Sequence, residues 1–134
     1  MSKRETIRIP GLLLLLIGLS VAAQAQRPRW EYLGEANVDG AVDHDNIAVT
    51  GARGEFRAIQ IRVEKGPIEF DRVVVHYGNG VSEPVPVHAV IPAGGQTRAI
   101  DLPGQRRIIE RVEFWYARAN LRSRRPRVRL WGMR

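Results

Sequence analysis

The chain has 134 residues, a length that fits one domain of ordinary size plus a short targeting segment. It contains no cysteine, which excludes disulfide bonds, thiolate metal sites and cysteine nucleophiles. Its 21 basic residues exceed its 14 acidic residues, and the resulting net charge of +7 favours anionic partners.

The N-terminal segment has the organisation of a secretory signal peptide. Basic side chains precede an apolar run at residues 11–23, and small residues close it at Ala23 and Ala25. The run has 13 residues, whereas a spanning helix needs roughly 20. We therefore predict a signal helix over residues 1–25, cleaved between Ala25 and Gln26, with a retained membrane anchor as the alternative. Either outcome places the domain in the periplasm or outside the cell.

Residues 26–134 alternate between apolar and polar side chains with period two, interrupted by glycine and proline, which is typical of β-strands. The predicted strands are 30–37, 46–50, 56–64, 68–77, a proline-containing segment at 84–87, 97–102, 107–117 and 127–132. About eight short strands of this kind predict a single all-β domain. The favoured architecture is a two-layer antiparallel β-sandwich or jelly roll, and a compact barrel is the alternative.

Turn residues and prolines refine this prediction. Gly78-Asn79-Gly80 is the expected hairpin tip, because positive φ angles cost little there. Pro84 and Pro86 cannot donate ladder hydrogen bonds, so their strand belongs at a sheet edge. The valines at 73–75 make the predicted strand 68–77 too apolar for one exposed face, which indicates either a central position or a strand that bends across two layers.

In the strand at 107–117, alternation predicts that Ile108, Val112, Phe114 and Tyr116 face inward. Together, the order of short motifs resembles a known family. The motifs are Leu33-Gly34, Asp43 and Asp45 before Ile47, Phe56-Arg57, Ile100-Asp101-Leu102-Pro103-Gly104, Arg107-Ile108, Val112, Phe114, Tyr116, Val128, Leu130 and Gly132. They are similar to the YaaI-like family of small exported bacterial proteins, whose function is not established. The resemblance implies export and a common fold, and it implies no catalytic residues.

An acidic segment precedes the second predicted strand. Asp39, Asp43, His44 and Asp45 supply hard oxygen ligands of the kind that Ca²⁺ prefers, with Asp43 and Asp45 as the candidate ligands. No glutamate closes an EF-hand loop, and aspartates in turns commonly bind nearby backbone amides. A solvated turn is therefore the favoured interpretation. A Ca²⁺ or Zn²⁺ domain, or a metal-dependent hydrolase built on residues 39–45, is the alternative function, and otherwise we expect no cofactor.

The three histidines, His44, His76 and His88, could meet as a metal site, but their spacing does not require it. A surface or hydrogen-bonded state is the favoured interpretation for each of them. The candidate hydroxyls are Thr50, Ser82, Thr97 and Ser123. None of these hydroxyls lies in a nucleophile elbow or another recognisable catalytic motif. The absence of a motif is weak evidence, so a hydrolase stays open, but we expect no enzyme and assign no catalytic residue.

The end of the chain is rich in arginine, with seven arginines in residues 118–134. A loop at 119–126 would present Arg122, Arg124 and Arg125 as a cationic tip. Arg127 and Arg129 would extend that charge along the outer face of the last strand. Arginine forks bind phosphate and carboxylate groups. The alternative is a solvated basic face, partly balanced by Glu110 and Glu113.

Tryptophans add a second possible element of recognition. Trp131 lies among these arginines, and Trp115 is on the outward side of its own strand. If two tryptophans share an outer face, they can form a platform on which sugar rings stack. Trp30 could instead close one end of the core.

The sequence thus favours an exported, non-catalytic binding or envelope-associated module. Its candidate partners are an anionic envelope polymer, lipid head groups or carbohydrate. Nucleic acid fits the charge but not the export signal. A membrane is a partner only if the N-terminal segment is retained.

Overall fold

A computed structural model describes residues 29–40, 42–120, 122 and 124–134. Within these residues the chain is all-β, as predicted, with ten strands and one 3-10 helix of three residues at Gly51–Arg53. In the same part of the chain, no helix is long and apolar enough to cross a membrane. The predicted signal helix, with its cleavage position between Ala25 and Gln26, lies outside the described residues.

The strands form two antiparallel sheets. They are β1 (Trp30–Asn37), β2 (Val42–Ala48), β3 (Glu55–Phe56), β4 (Ala58–Glu64), β5 (Ile68–Tyr77), β6 (Ser82–Val85), β7 (Ala89–Ile91), β8 (Ile100–Asp101), β9 (Arg107–Arg118) and β10 (Arg127–Met133). The four-stranded sheet has the order β1-β10-β4-β8. The six-stranded sheet has the order β2-β9-β5-β6, with β3 beside β9 and β7 beside β5.

Period-two alternation places one face of each sheet in a shared core. On β10, Val128 and Leu130 are buried, whereas Arg127, Arg129 and Trp131 lie half-buried on the opposite face. Buried side chains from both sheets form one hydrophobic cluster. A protein without cysteine depends on this burial and on its backbone pairing for stability.

Aromatic side chains fill much of the core. Phe70 and Phe114 meet edge to face with ring centroids 6.2 Å apart, and Phe114 lies 5.4 Å from Tyr116. Tyr77 and Tyr116 are almost completely buried. Burial raises the pKa of both phenol groups, so both stay neutral at physiological pH.

The central position predicted for the valine-rich strand is confirmed. β5 pairs with β9 on one side and with β6 and β7 on the other. Its following turn includes Gly80, whose φ of 88° is the left-handed conformation that glycine adopts freely. Pro84 lies in β6, which pairs only with β5 among the described strands, in agreement with the predicted edge strand.

Several predicted boundaries are wrong. β2 begins at Val42, four residues before the predicted start, because pairing with β9 outweighs the low strand propensity of aspartate and asparagine. The predicted strand at 56–64 is divided into β3 and β4. The strand β7 was not predicted.

Two local arrangements explain the remaining differences. Of the predicted strand at 97–102, only Ile100–Asp101 is regular, since the Thr97 hydroxyl replaces a backbone acceptor and takes the hydrogen bond from the Ile61 amide at 3.1 Å. A register shift between His76 and Tyr77 places Ile109 opposite Tyr77. Ile109 is therefore buried, and the prediction that Ile108 faces inward is wrong.

Gly132 lies on β10 where core side chains approach the backbone closely. A Cβ atom at this position would lie 2.7 Å from Phe56 Cδ1 and 2.8 Å from Leu33 Cδ1. We expect Gly132→Ala to lower the free energy of unfolding by about 1–3 kcal/mol, because overpacking displaces neighbouring side chains from their rotamers. Urea denaturation monitored by tryptophan fluorescence measures this loss.

Gly51→Ala is the matched control, because its nearest contact would be Ile108 Cγ2 at an ordinary 3.9 Å. This variant should change the free energy of unfolding by less than about 0.5 kcal/mol. Equal losses in the two variants would show that close packing is not what requires glycine at position 132.

Candidate functional site

The arginine loop, defined as residues 119–126, connects β9 to β10 at one end of the sheets. The Ala119 amide donates to the Pro67 carbonyl at 3.3 Å, and the Val38 amide donates to the Pro126 carbonyl at 3.0 Å. These bonds hold the ends of the loop against the β4–β5 and β1–β2 connections. The described arginine side chains between the two ends, Arg122, Arg124 and Arg125, are therefore exposed at the end of the sheets.

All three predicted loop arginines, Arg122, Arg124 and Arg125, are exposed. Arg125 Nη1 lies 3.4 Å from Asp39 Oδ1, and both side chains are 73% exposed. Arg124 makes at least one further interaction. An exposed ion pair contributes only about 0.2–1 kcal/mol, so Arg125 can exchange Asp39 for another anion at small cost.

Arg127 and Arg129 lie on the outer face of the four-stranded sheet, as predicted, but carboxylates surround them. Arg127 lies 3.3 Å from Glu35 and 3.6 Å from Glu64. Arg129 lies 3.4 Å from Glu35 and 3.1 Å from Glu64. Two cations and two anions therefore cancel, and the outer face of β10 does not extend the cationic tip.

The Glu35 carboxylate has a further partner. The Tyr32 hydroxyl donates to Glu35 Oε1 at 2.6 Å. This hydrogen bond, followed by the nearby Arg127 and Arg129 charges, lowers the pKa of Glu35 and keeps it ionised.

The predicted balance of these arginines by Glu110 and Glu113 is wrong. Glu110 lies 3.2 Å from Arg111 within β9, and Glu113 hydrogen-bonds histidines. Both glutamates belong to the six-stranded sheet, so neither faces Arg127 or Arg129. The sequence could not show which acidic residues share a face with the last strand.

The two candidate tryptophans lie in different sheets, Trp131 on β10 and Trp115 on β9. They therefore do not form a shared platform. The Arg62 guanidinium lies 4.1 Å from the centroid of the Trp131 ring, and Tyr32 meets the same ring edge to face at 5.5 Å. Trp131 is thus already engaged by its own sheet.

Of the acidic residues predicted to form a loop, Asp43 and Asp45 lie in strand β2 instead, whereas Asp39 lies in the β1–β2 connection. Asp43 Oδ1 accepts from the His44 amide at 2.7 Å, and Asp45 Oδ1 accepts from the Asn46 amide at 2.9 Å. Such local bonds match the expectation of side chains that bind nearby backbone. Within the described ranges, no group of three or more His, Asp or Glu side chains has an arrangement suited to a metal ion.

A hydrogen-bonded chain of four side chains crosses the outer face of the six-stranded sheet. Ser82 Oγ lies 2.7 Å from His76 Nδ1, and His76 Nε2 lies 2.7 Å from Glu113 Oε1. The other carboxylate oxygen of Glu113 lies 2.5 Å from His44 Nε2. We name this arrangement the Ser82–His44 chain. It joins β6, β5, β9 and β2 in one row.

Strand register creates the chain. His76 is opposite Arg111, and His44 is opposite Trp115, so both histidines are diagonal neighbours of Glu113 on β9. Long side chains reach such diagonal neighbours. The His44 ring also stacks on Trp115 with centroids 4.7 Å apart, which holds the exposed end of the chain.

Glu113 is the electrostatic centre of the chain. Its hydrogen bond with His76, and then that with His44, lowers its pKa. An ionised carboxylate only accepts hydrogen bonds, so each histidine donates from Nε2. A neutral His76 then carries its proton on Nε2, and its Nδ1 is the acceptor for the Ser82 hydroxyl.

Sequence reasoning missed this arrangement because its members are far apart in the chain. His44 and Glu113 are separated by 69 positions, and His76 and Glu113 by 37. The sequence favoured surface or hydrogen-bonded histidines at 44 and 76, which agrees with the structure, but it did not identify Glu113 as their partner. His88, the third histidine, contacts the Asp71 carbonyl instead. The outward alternation of Glu113 was the one available signal.

A known family model matches most of the chain. A family model described as a domain of unknown function, DUF2541, matches residues 11–132. The chain belongs to this family. No curated protein matches the chain, and no solved structure matches it. DUF2541 membership thus assigns the chain to a family of unknown function, and the family description names no ligand or activity.

The lowered pKa of Glu113 predicts a pH dependence of stability. A carboxyl group with a lowered folded-state pKa stabilises the fold above its unfolded-state pKa, and this contribution is lost as pH falls through the folded-state value. We expect wild type to be more stable than Glu113→Gln above about pH 5, with the difference shrinking toward pH 3. Thermal melts across this pH range measure the difference.

Glu69→Gln is the matched control, since Glu69 is an exposed glutamate of the same sheet. A pH-dependent loss of stability in Glu113→Gln that Glu69→Gln does not share would identify the hydrogen-bonded carboxylate as its source. A Glu113→Gln difference that stays constant from pH 3 to pH 7 would contradict the role of the carboxylate in the chain.

Proposed function

We propose that this DUF2541 protein is an exported binding module that holds anionic polymers through the arginine loop. The observation that carries this proposal is the exposure of Arg122, Arg124 and Arg125 at one end of the sheets. By contrast, Arg127 and Arg129 are neutralised by glutamates. The proposed site is therefore narrower than the whole arginine-rich segment.

The chemistry of the loop suits phosphate and carboxylate groups. Guanidinium groups present paired N–H donors that match both anions, and they stay charged at every physiological pH. Three of them on one short loop can contact successive charges of a polymer. Because the contacts are exposed, salt should weaken the binding.

The position of the loop favours a polymer over the head groups of a membrane to which the domain is itself tethered. β1 begins at Trp30, which pairs with Met133, and after β1 ends the Val38 amide binds Pro126 at the base of the loop. A strand of eight residues spans about 26 Å at 3.3 Å per residue. An N-terminal tether would therefore join the domain at the end opposite the loop.

In this proposal, a carbohydrate partner binds the loop arginines through its own charged substituents. Arg62 and Tyr32 occupy the Trp131 ring, and His44 and Arg72 contact Trp115. Sugar stacking is therefore not part of the proposed site. An envelope polysaccharide with carboxylate or phosphate substituents is the preferred partner.

The proposal also covers the architecture, the family resemblance and the export of the domain. We infer a two-layer sandwich, because the two sheets contribute to one buried cluster. We also propose that the protein is YaaI-like. In this proposal, residues 1–25 are a signal peptide and residues 26–134 are the mature domain. The order of short strand motifs supports the YaaI-like assignment, and the signal pattern supports the division between residues 1–25 and 26–134.

Retention on an acidic polysaccharide tests the arginine loop. A variant with Arg122, Arg124 and Arg125 replaced by serine should bind about 3- to 150-fold more weakly, because each exposed charge contact contributes about 0.2–1 kcal/mol. Affinity for an immobilised polyuronate, measured at two salt concentrations, gives this result. Anionic vesicles provide the comparison with lipid head groups.

The matched control removes the same charge elsewhere, with Arg57, Arg98 and Arg106 replaced by serine. All three of these side chains are exposed and lie outside the loop. The control should retain most of the affinity. Equal losses of affinity in both triple variants would show that binding depends on net charge and not on the arginine loop. Unchanged binding of the loop variant would refute the proposed site.

Export predicts a defined N-terminus. The protein recovered from the envelope or medium of a producing bacterium should begin at Gln26, because small residues at 23 and 25 suit a signal peptidase. Intact mass spectrometry measures this, and a bulky Ala25→Leu substitution should block cleavage. A soluble protein that still begins at Met1 would contradict the signal peptide.

A further inference from the structure

The Ser82–His44 chain has the connectivity of a nucleophile, a base and an orienting carboxylate. Ser82 Oγ contacts one nitrogen of the His76 ring, and Glu113 contacts the other nitrogen. We propose that Ser82 is a nucleophile for the hydrolysis of small acyl esters, with His76 as its base. Glu113 is a positioning residue that acts through His76, and His44 is one that acts through Glu113. This activity goes beyond the proposed binding function and does not depend on the arginine loop.

Proton positions support this assignment. Glu113 is ionised and accepts from His76 Nε2, so neutral His76 presents an unprotonated Nδ1 to the Ser82 hydroxyl. The Ser82–Nδ1 distance of 2.7 Å lies within the range required for general-base catalysis. When His76 takes the proton, Glu113 stabilises the imidazolium ion. Here the serine faces Nδ1, whereas in the serine protease triad it faces Nε2.

Burial makes the two inner members well ordered. The side chains of His76 and Glu113 are 16% and 17% exposed. The His44 side chain is 44% exposed and hydrogen-bonds the other carboxylate oxygen of Glu113. The base is therefore fixed in orientation, while the serine is exposed on β6.

The backbone of Ser82 supplies a hydrogen-bond donor beside the nucleophile. The Tyr77 amide donates to the Val81 carbonyl at 2.8 Å, which makes 77 and 81 a hydrogen-bonded pair of the β5–β6 ladder. Pairs alternate along an antiparallel ladder, so His76 and Ser82 form a non-hydrogen-bonded pair. Their side chains are close for that reason. The Ser82 N–H points away from β5, where it can bind the oxyanion that develops on an attacked ester.

The edge position gives a substrate access to this donor and to the hydroxyl. Among the described strands, β6 pairs only with β5. Pro84, two residues beyond Ser82, has no N–H group and discourages the addition of another strand. An exposed edge of this kind suits a small acyl group, such as acetyl, carried on a larger solvent-exposed molecule.

The reaction balances without another reagent. Ser82 Oγ bonds to the ester carbonyl carbon while its proton moves to His76 Nδ1. The carbon–oxygen bond of the ester then breaks, and the departing alcohol oxygen takes that proton. Water attacks the acyl-serine with His76 again accepting a proton, and this proton returns to Ser82 Oγ as the carboxylic acid leaves.

Labelling and turnover of the purified protein test the proposal. p-Nitrophenyl acetate should be hydrolysed, and a fluorophosphonate should add one phosphonyl group at Ser82, located by peptide mass spectrometry. Ser82→Ala should abolish both results. Thr50→Ala, which removes another exposed hydroxyl, should leave both unchanged. His76→Gln should slow turnover about 100-fold, a typical contribution of general-base catalysis.

The positioning role of Glu113 requires a separate readout. Glu113→Gln should lower the turnover number more than it changes KM, and it should alter the pH profile of turnover. Circular dichroism and melting temperature establish that each variant is folded. If folded wild type shows no adduct at Ser82, or if His76→Gln is labelled as fast as wild type, the chain only joins the strands. Polysaccharide retention is measured on the same variants and should not change, so each proposal can fail separately.

Discussion

Pairing between β5 and β9 is the constraint on which the rest of the molecule depends. These are the two longest strands, and they pair from Ile68 opposite Arg118 to Tyr77 opposite Ile109. On the inner face the pairing brings Phe70, Phe114 and Tyr116 into the shared core. On the outer face the same register brings His76 within reach of Glu113. A shift of one residue would exchange these two faces, so the core and the polar chain are fixed by the same pairing.

Charge is distributed according to the same geometry. Carboxylates that share the outer face of the four-stranded sheet meet Arg127 and Arg129, because β1 and β4 flank β10. The loop arginines lie past the ends of these strands, where neighbouring strands no longer supply facing glutamates at ladder spacing. The exposed Arg122, Arg124 and Arg125 therefore lie together on one short loop, which is the basis of the proposed anion binding. The Ser82–His44 chain occupies a different face and supports a separate chemistry.

Much of the fold could be predicted from the sequence, and the successes and failures have physical causes. The bounds of β1 and β5 agree with the structure to the residue. β5 is rich in β-branched and aromatic side chains and is followed by the turn at Gly78-Asn79-Gly80, whereas β1 keeps its predicted bounds despite a bulge between Tyr32 and Gly34. The start of β2 was missed because Asp43 and Asp45 have low strand propensity, and pairing with β9 makes this segment a strand. Ile108 was assigned to the wrong face because a register shift interrupts the alternation there. Of the candidate site, the exposed loop arginines were predicted, whereas the partners of Glu113 were not.

By itself, the sequence determined that the domain is all-β, that no disulfide can stabilise it, and which side chains of β10 face the core. These are local properties, set by residue type and by a period of two along each strand. Only the tertiary structure decided which charges meet: Arg129 with Glu35 and Glu64, and Glu113 with His44 and His76. The reason is that strand order and register join residues that are distant in the sequence. Alternation assigns a residue to a face of its sheet, but it does not specify the neighbours on that face.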